Sequence, residues 1–277
     1  MDGSQIAGRK QRWLTQHLRG AENATSVDGV LSFIGATTQV GPVSAHPYNQ
    51  SALRLLRAVE ATGGMALDCG AGQRDYLADH LIQIDVMPYP NIDVLCDAQA
   101  LPFADDSFEL MLSFAVMEHI PNPFLAASEM MRVLKPGGAI YVDVPQIAVE
   151  HGYPSHYFNM TRFGLRKLFE GMDHAAHNVP NSGHPSQALH TVIANFRAGL
   201  PKIERAAFDR MTIAEIMANP PKHLTRTLCQ DFHPDVKWKL AATTCALFRK
   251  PGADLLQVPM SELPQFEGSK ISSTPTS

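Results

Sequence analysis

The sequence predicts an α/β fold built on a doubly wound, mostly parallel sheet. Three observations carry that expectation. Between residues 65 and 145, short apolar runs recur, and each closes on an acid or a glycine-rich turn. The runs show little polar alternation, as strands buried on both faces do. A helical stripe precedes the runs and another separates the last two, the alternation that a parallel sheet requires.

In order, residues 1–45 carry no sustained period and read as an N-terminal extension, with "GATTQVGPVSAHP" as loop. A helix follows from Asn49 to Ala61, with Ala52, Leu55, Leu56 and Val59 on one stripe and "TGG" as its stop. Five strands come next: Met65–Asp68, Leu81–Asp85, Ile92–Asp97, Glu109–Phe114 and Ala139–Val144. Between the last two, "PNPFLAASEMMRVLKPGG" is a helix. Asn122 can cap it, Pro123 suits its first turn, and Phe124, Ala127, Met131 and Leu134 line its inner face. Gly137 and Gly138 would close it.

After Pro145 a loop rich in His and Tyr leads to a short helix capped by Thr161, with Leu165, Leu168 and Phe169 inside. "HAAHNV" at 174–179 reads as a sixth strand and 238–250 as the last. Nearly sixty residues part them, with helical pieces near 186–200 and 203–218, too long for a simple connection. The expected organisation is therefore an extension over 1–45, a core over 46–179, a helical insertion or cap over 180–236, the last core strand over 237–250 and a flexible tail over 251–277.

Composition excludes several classes. A hydrophobic fraction of 45% and a charged fraction of 18% suit a globule with a sizeable core. The net charge of −4 argues against nucleic acid as a partner. Residues 65–145 hold three basic residues (Arg74, Arg132 and Lys135) among twelve acids, whereas 196–250 is net basic. Cys69, Cys96, Cys229 and Cys245 form no C-x-x-C pair and read as buried free thiols. The first residues lack a signal-peptide core, and no run reaches the roughly 18 apolar residues of a membrane span. The expected location is cytoplasmic.

The strand ends carry the chemistry. Asp68-Cys69-Gly70-Ala71-Gly72 follows the first of these strands directly, and glycines there let backbone approach a ligand. Asp85 ends the second, where an acid can meet ribose hydroxyls. Asp97 ends the third and is followed by Ala98, where an adenine amino group can be read. These ends suit a nucleoside with a charged, non-phosphate tail.

Residues 65–145 resemble the class I S-adenosylmethionine-dependent methyltransferases, in particular the branch with ubiquinone- and menaquinone-biosynthesis enzymes. "MALDCGAG", "IQIDV", "LPFADDSFEL", "FAVMEHI" and "LKPGG" carry the resemblance. It implies a Rossmann-like, seven-stranded sheet with the cap inserted between the last two strands, S-adenosyl-L-methionine as cofactor, and methyl transfer as the activity. It also implies that Asp68, Gly70 and Gly72 face the methionine part and Asp85 the ribose. Asp97 and Ala98 would face the adenine, and Ser113 and Phe114 the methyl. "HGYPSHYFNMTRFGLRKLFEG" is similar to a subgroup with a His/Tyr loop, some of it tied to glycan pathways. This match names no acceptor; the basic 196–250 segment, read as a cap, would admit a small acceptor that is anionic or sugar-linked.

Two departures stand out. Arg74 takes the place where the family often has a third glycine, and reads as an exposed charge or as a partner for the donor's carboxylate. The span from Gly72 to Leu81 is short for a crossover helix. Both leave open a non-catalytic module of the same fold. The missing G-x-G-x-x-G turn argues against a nicotinamide enzyme.

Should the acceptor be a hydroxyl, His119, His151 and His156 are the candidate bases, with Tyr157 behind them. Glu118 and these histidines can converge in space. Their spacing matches no helix-borne metal motif, so no metal is expected. His174 and His177, three apart in a strand, should face opposite sides.

Overall fold

The computed structural model describes residues 3–34, 45–149, 151, 155–199, 206, 243–252, 255–259 and 262. Their strands form one sheet of nine, in the order β1-β2-β5-β4-β3-β6-β7-β9-β8. The core strands are β3 (Ala66–Cys69), β4 (Leu81–Asp85), β5 (Val94–Leu95), β6 (Phe108–Phe114) and β7 (Leu134–Pro145). All five run parallel; β9 (Thr243–Arg249) lies antiparallel between β7 and β8 (Asp173–Asn178). This is the expected doubly wound sheet, with seven strands anticipated and two more added at one edge.

The added pair corrects the reading of residues 1–45. β1 (Thr25–Val27) and β2 (Val30–Ser32) form a hairpin, and β2 pairs in parallel with β5. Asp28 and Gly29 make the two-residue turn with φ of 50° and 85°, the geometry that suits a right-twisted hairpin. Ahead of it, α1 (Gly3–His17) is a helix where no period was seen. Leu14 and Trp13 are its apolar contribution to the core. Polar ties complete the docking: Lys10 Nζ lies 2.8 Å from Asp93 Oδ2, and Arg9 donates to the carbonyls of Gly63 and Gly64. Such ties leave no hydropathy period.

The two faces of the sheet are covered differently. On one face α1, α3 (Pro123–Val133) and α4 (Arg162–Leu168) cover Leu67, Ile82, Ile84, Met111 and Val142. On the other, α2 (Gln50–Thr62) buries Ala52, Leu55, Leu56 and Val59 against Ala66, Leu81, Leu110 and Tyr141. Asn49 caps α2 by accepting from Ala52 N, and Gly63 closes it in the left-handed region. Between β3 and β4 the chain makes no helix, as the short spacing implied.

Three further corrections follow. α3 buries Ala126, Ala127, Met130 and Val133, while Phe124 stands exposed. The expected stripe lies one step round a short helix that is apolar on more than one side, so its neighbours select the face. α3 stops at Val133 and the chain extends at once into β7, ahead of Gly137. In β8 a bulge between His174 and Ala176 brings the two imidazoles to one side, with Nε2 of His174 3.4 Å from Nδ1 of His177. α5 (Pro185–Gly199) is the first of the expected helical pieces. The piece near 203–218, most of the cap, the start of the last strand and most of the tail lie outside the described residues; within the tail, Leu256 and Val258 are buried in the core on the α2 face, against the expectation of a flexible tail there.

Candidate functional site

β3 lies between β4 and β6, so the direction of winding reverses at the β3 carboxyl end. Ligands of such sheets bind in the crevice outside the strand ends there. The residues in this crevice come from β3, β4, β5 and β6.

The first turn is shaped by two glycines at φ 72° (Gly70) and 61° (Gly72). A Cβ at Gly70 would stand 2.4 Å from a Val116 methyl, so only glycine fits. The amides of Gly70 and Ala71 both donate to the Ile84 carbonyl, at 3.0 and 2.9 Å. Asp85 fixes the same turn from the neighbouring strand. Its Oδ2 accepts from Gly72 N at 2.8 Å and its Oδ1 from Met87 N at 2.9 Å. Burial pushes its carboxyl up, and the Gly72 and Met87 amides hold it down in part.

Asp68 is fully buried on the α2 face. Its Oδ2 accepts from the Tyr48 hydroxyl and lies 3.4 Å from Arg74 Nε. The Arg74 guanidinium stacks over the rings of Tyr48 and Phe114, 4.8 and 5.8 Å from their centroids. Arg74 is thus buried, 7% exposed, and tied to Asp68 and the His46 carbonyl, which corrects the exposed-charge expectation. Burial pushes the Asp68 carboxyl up, against Arg74 and Tyr48, which pull it down. Tyr48 was missed in the sequence. Its partner is twenty residues away, and no spacing rule joins a tyrosine before a helix cap to a strand-end acid.

Asp97 is half-buried and held by Gln99, whose backbone N–H donates to Oδ1 at 2.8 Å. Ala98 beside it is buried. Ser113 is fully buried and Phe114 packs edge-on to Tyr141, with centroids 5.3 Å apart. Ala115 follows at φ 54°, a left-handed conformation unusual for a residue with a side chain. Among the described residues, neither Asp68 Oδ1 nor Ser113 Oγ has a hydrogen-bond partner. The register places these two orphaned polar atoms on opposite faces of neighbouring strand ends, which fits a ligand that runs over the ends and brings its own hydrogen-bonding groups.

The histidines gather beyond β6 and β7. Glu118 and His119 lie in a 3-10 turn (Met117–His119). His151 and His156 come from the loop after β7. The ring of His119 lies 5.3 Å from that of His151 and 5.7 Å from that of His156, and His151 and His156 are 4.5 Å apart. Burial lowers the His119 imidazole, and its bond to the Ser155 carbonyl raises it in part. Burial pushes the Glu118 carboxyl up to about 8, with Asp143 adding to the rise. Tyr157 is exposed, and its backbone N–H is bonded to the Glu118 carbonyl. The fold therefore brings all three candidate bases together, beside the strand ends that carry Ser113 and Phe114.

Comparison with known proteins agrees with the strand-end pattern. The family profile described as a methyltransferase domain matches residues 65–142. A protein of Mycobacterium tuberculosis named as an uncharacterized methyltransferase is 39% identical over 98 residues, covering 35% of this chain and 36% of that protein. One of Mycobacterium avium with the same name is 34% identical over 133 residues, 47% of each chain. The chain thus spans between about a third and a half of the length of these curated relatives. Among solved structures, phosphoethanolamine N-methyltransferase 2 of Haemonchus contortus with S-adenosyl-L-methionine aligns with 72% of this chain and 53% of that one, at 16% identity and a TM-score of 0.39.

Proposed function

We propose, from the premise that residues 65–142 form a class I S-adenosylmethionine-dependent methyltransferase domain, that this chain methylates a small-molecule or glycan-related acceptor. The observation that carries the reading is the pair of orphaned polar atoms, Asp68 Oδ1 and Ser113 Oγ, at the point where the sheet reverses its winding. Bound there, the donor supplies a methyl group activated on a sulfonium.

Each strand end has a part in holding it. Asp68, Gly70 and Gly72 take the methionine portion, where the turn lets backbone come close. Asp85 takes the ribose diol and Asp97 with Ala98 the adenine. Ser113 and Phe114 border the methyl. Displacement is in line and the leaving sulfur departs neutral, so alignment and exclusion of water supply most of the rate. A hydroxyl acceptor must also lose a proton. His119, His151 and His156 are placed to receive it, a contribution of about 10²–10⁴-fold.

Titration calorimetry without acceptor tests the donor site. Micromolar binding of S-adenosylmethionine or its demethylated product is expected, and Asp85→Ala should weaken it at least about tenfold, about 1.4 kcal/mol. Absence of binding would sink the reading; unchanged affinity in the variant would remove the ribose role of Asp85.

A second reading has one observation in its favour. Arg74, committed to Asp68, fills part of the first turn. A non-catalytic module with this fold would either bind the donor yet release no demethylated product with any acceptor, or bind no donor at all.

A further inference from the structure

We infer that Glu118, His119 and His151 form a binding site for a divalent first-row transition-metal ion at the carboxyl ends of β6 and β7. The tautomers come first. Nδ1 of His119 lies 2.9 Å from the Ser155 carbonyl oxygen, and Nδ1 of His151 lies 2.9 Å from the Val149 carbonyl oxygen. A carbonyl only accepts, so each Nδ1 carries a proton and donates it. In the neutral imidazole that geometry leaves each Nε2 with its lone pair. Both Nε2 atoms face one atom, Glu118 Oε1, at 3.8 Å for His119 and 3.9 Å for His151. Three potential ligand atoms therefore converge, two imidazole nitrogens and one carboxyl oxygen.

Glu118 sharpens the point. Its side chain is 0% exposed, and among the described residues neither carboxylate oxygen has a hydrogen-bond partner. A carboxylate buried without donors is costly, and lone pairs aimed at it do not offset the cost. A cation does. The three ligand atoms lie within 4.8 Å of one another. Ligands about 2.1 Å from a tetrahedral ion stand roughly 3.4 Å apart, so small side-chain movements close the site. Two imidazoles and a carboxylate form a donor set used for zinc and non-haem iron. An Nδ1–H bonded to a backbone carbonyl is the usual support of a ligating histidine.

The surroundings are set for it as well. The Glu118 carbonyl accepts from Tyr157 N at 2.7 Å, which pins the loop after β7 to the turn after β6. His156 turns its Nε2 to the Phe158 carbonyl, 3.1 Å away, and stands beside the three ligands. The inference goes against the expectation of no metal drawn from spacing. That expectation considered ligands on one helix, and these come from two loops that only the sheet brings together. Three protein ligands leave positions open, and with the ion bound His119 and His151 are ligands, so His156 alone of the three histidines is left to act as a base. An acceptor offering a hydroxyl, phosphate or carboxylate oxygen would fit the open positions. That role rests on the methyl-transfer reading; binding of the ion does not.

The test uses Co²⁺ alone, added to the full chain after chelator treatment. A visible d–d band that saturates at one equivalent and is displaced by Zn²⁺ is expected. His151→Ala and Glu118→Gln should each weaken Co²⁺ binding more than tenfold. The His151 side chain is 42% exposed, so its variant decides the matter even if Glu118→Gln folds poorly. Absence of a band at stoichiometric Co²⁺, or the same band and affinity in His151→Ala, would overturn the site. Donor titration on the same preparation reads separately: Co²⁺ binding without donor binding keeps the metal site and removes the methyl-transfer reading, and the reverse pattern does the opposite.

Discussion

Asp68 shows how much a single side chain in this site depends on its neighbours. It is fully buried, and Tyr48 and Arg74 are the groups that make its charge tolerable. Removing the Tyr48 hydroxyl takes away a donor without changing the ring that packs on Tyr76 and Arg74. Tyr48→Phe should therefore lower the unfolding free energy by about 1–3 kcal/mol, the cost of an under-satisfied buried acceptor. Denaturant titration of the two proteins checks it, and equal midpoints would show that Tyr48 does not support the acid. The acids at 68, 85 and 97 were legible because each ends an apolar run. Tyr48 and the burial of Arg74 were not, because their partners are set by folding and not by spacing.

Among the elements, β3, β4, β6 and β7 were legible to within a few residues at most of their ends, since strands covered on both faces leave continuous apolar runs. β5 shrinks to Val94–Leu95, because Asp93 is used elsewhere: it accepts from Gln83 N and from Lys10. That use explains why α1 escaped notice. A helix fastened by Lys10 and Arg9, with Leu14 and Trp13 as its few apolar contacts, presents no stripe long enough to count. The β1–β2 hairpin is different, for "VDGV" holds an Asp-Gly turn signal that was passed over. Lys10→Met should cost about 1–3 kcal/mol, because it leaves the partly buried Asp93 carboxylate with the Gln83 amide and no cation. Chemical denaturation measures the loss, and a stability unchanged within error would mean that α1 is held by its apolar contacts alone.

For the molecule as a whole, acid stability has an identifiable contributor in β8. Burial lowers the His177 imidazole from its ordinary 6.5 to about 3, helped by His174, Arg162 and Arg166. The folded chain keeps this side chain neutral where the unfolded chain protonates it. Its contribution is therefore complete above about pH 6.5 and is lost as the pH falls towards 3, at about 1.4 kcal/mol per pH unit where a full proton separates the two states. His177→Asn should show a shallower fall in unfolding free energy between pH 6.5 and 4. An identical slope would place the acid sensitivity elsewhere.

The position of β9 has a consequence for how the chain is made. β7 ends at Pro145, and the strand that pairs with its far side, β9, begins at Thr243. About a hundred residues separate them, roughly 5–20 s of synthesis. Until then the open side of β7 is an unpaired backbone edge flanked by Ile140, Tyr141 and Val142, and β8 has no strand beside it. The ribosome-bound chain thus passes through a long interval with an exposed strand edge, the kind of surface on which partly made chains associate wrongly.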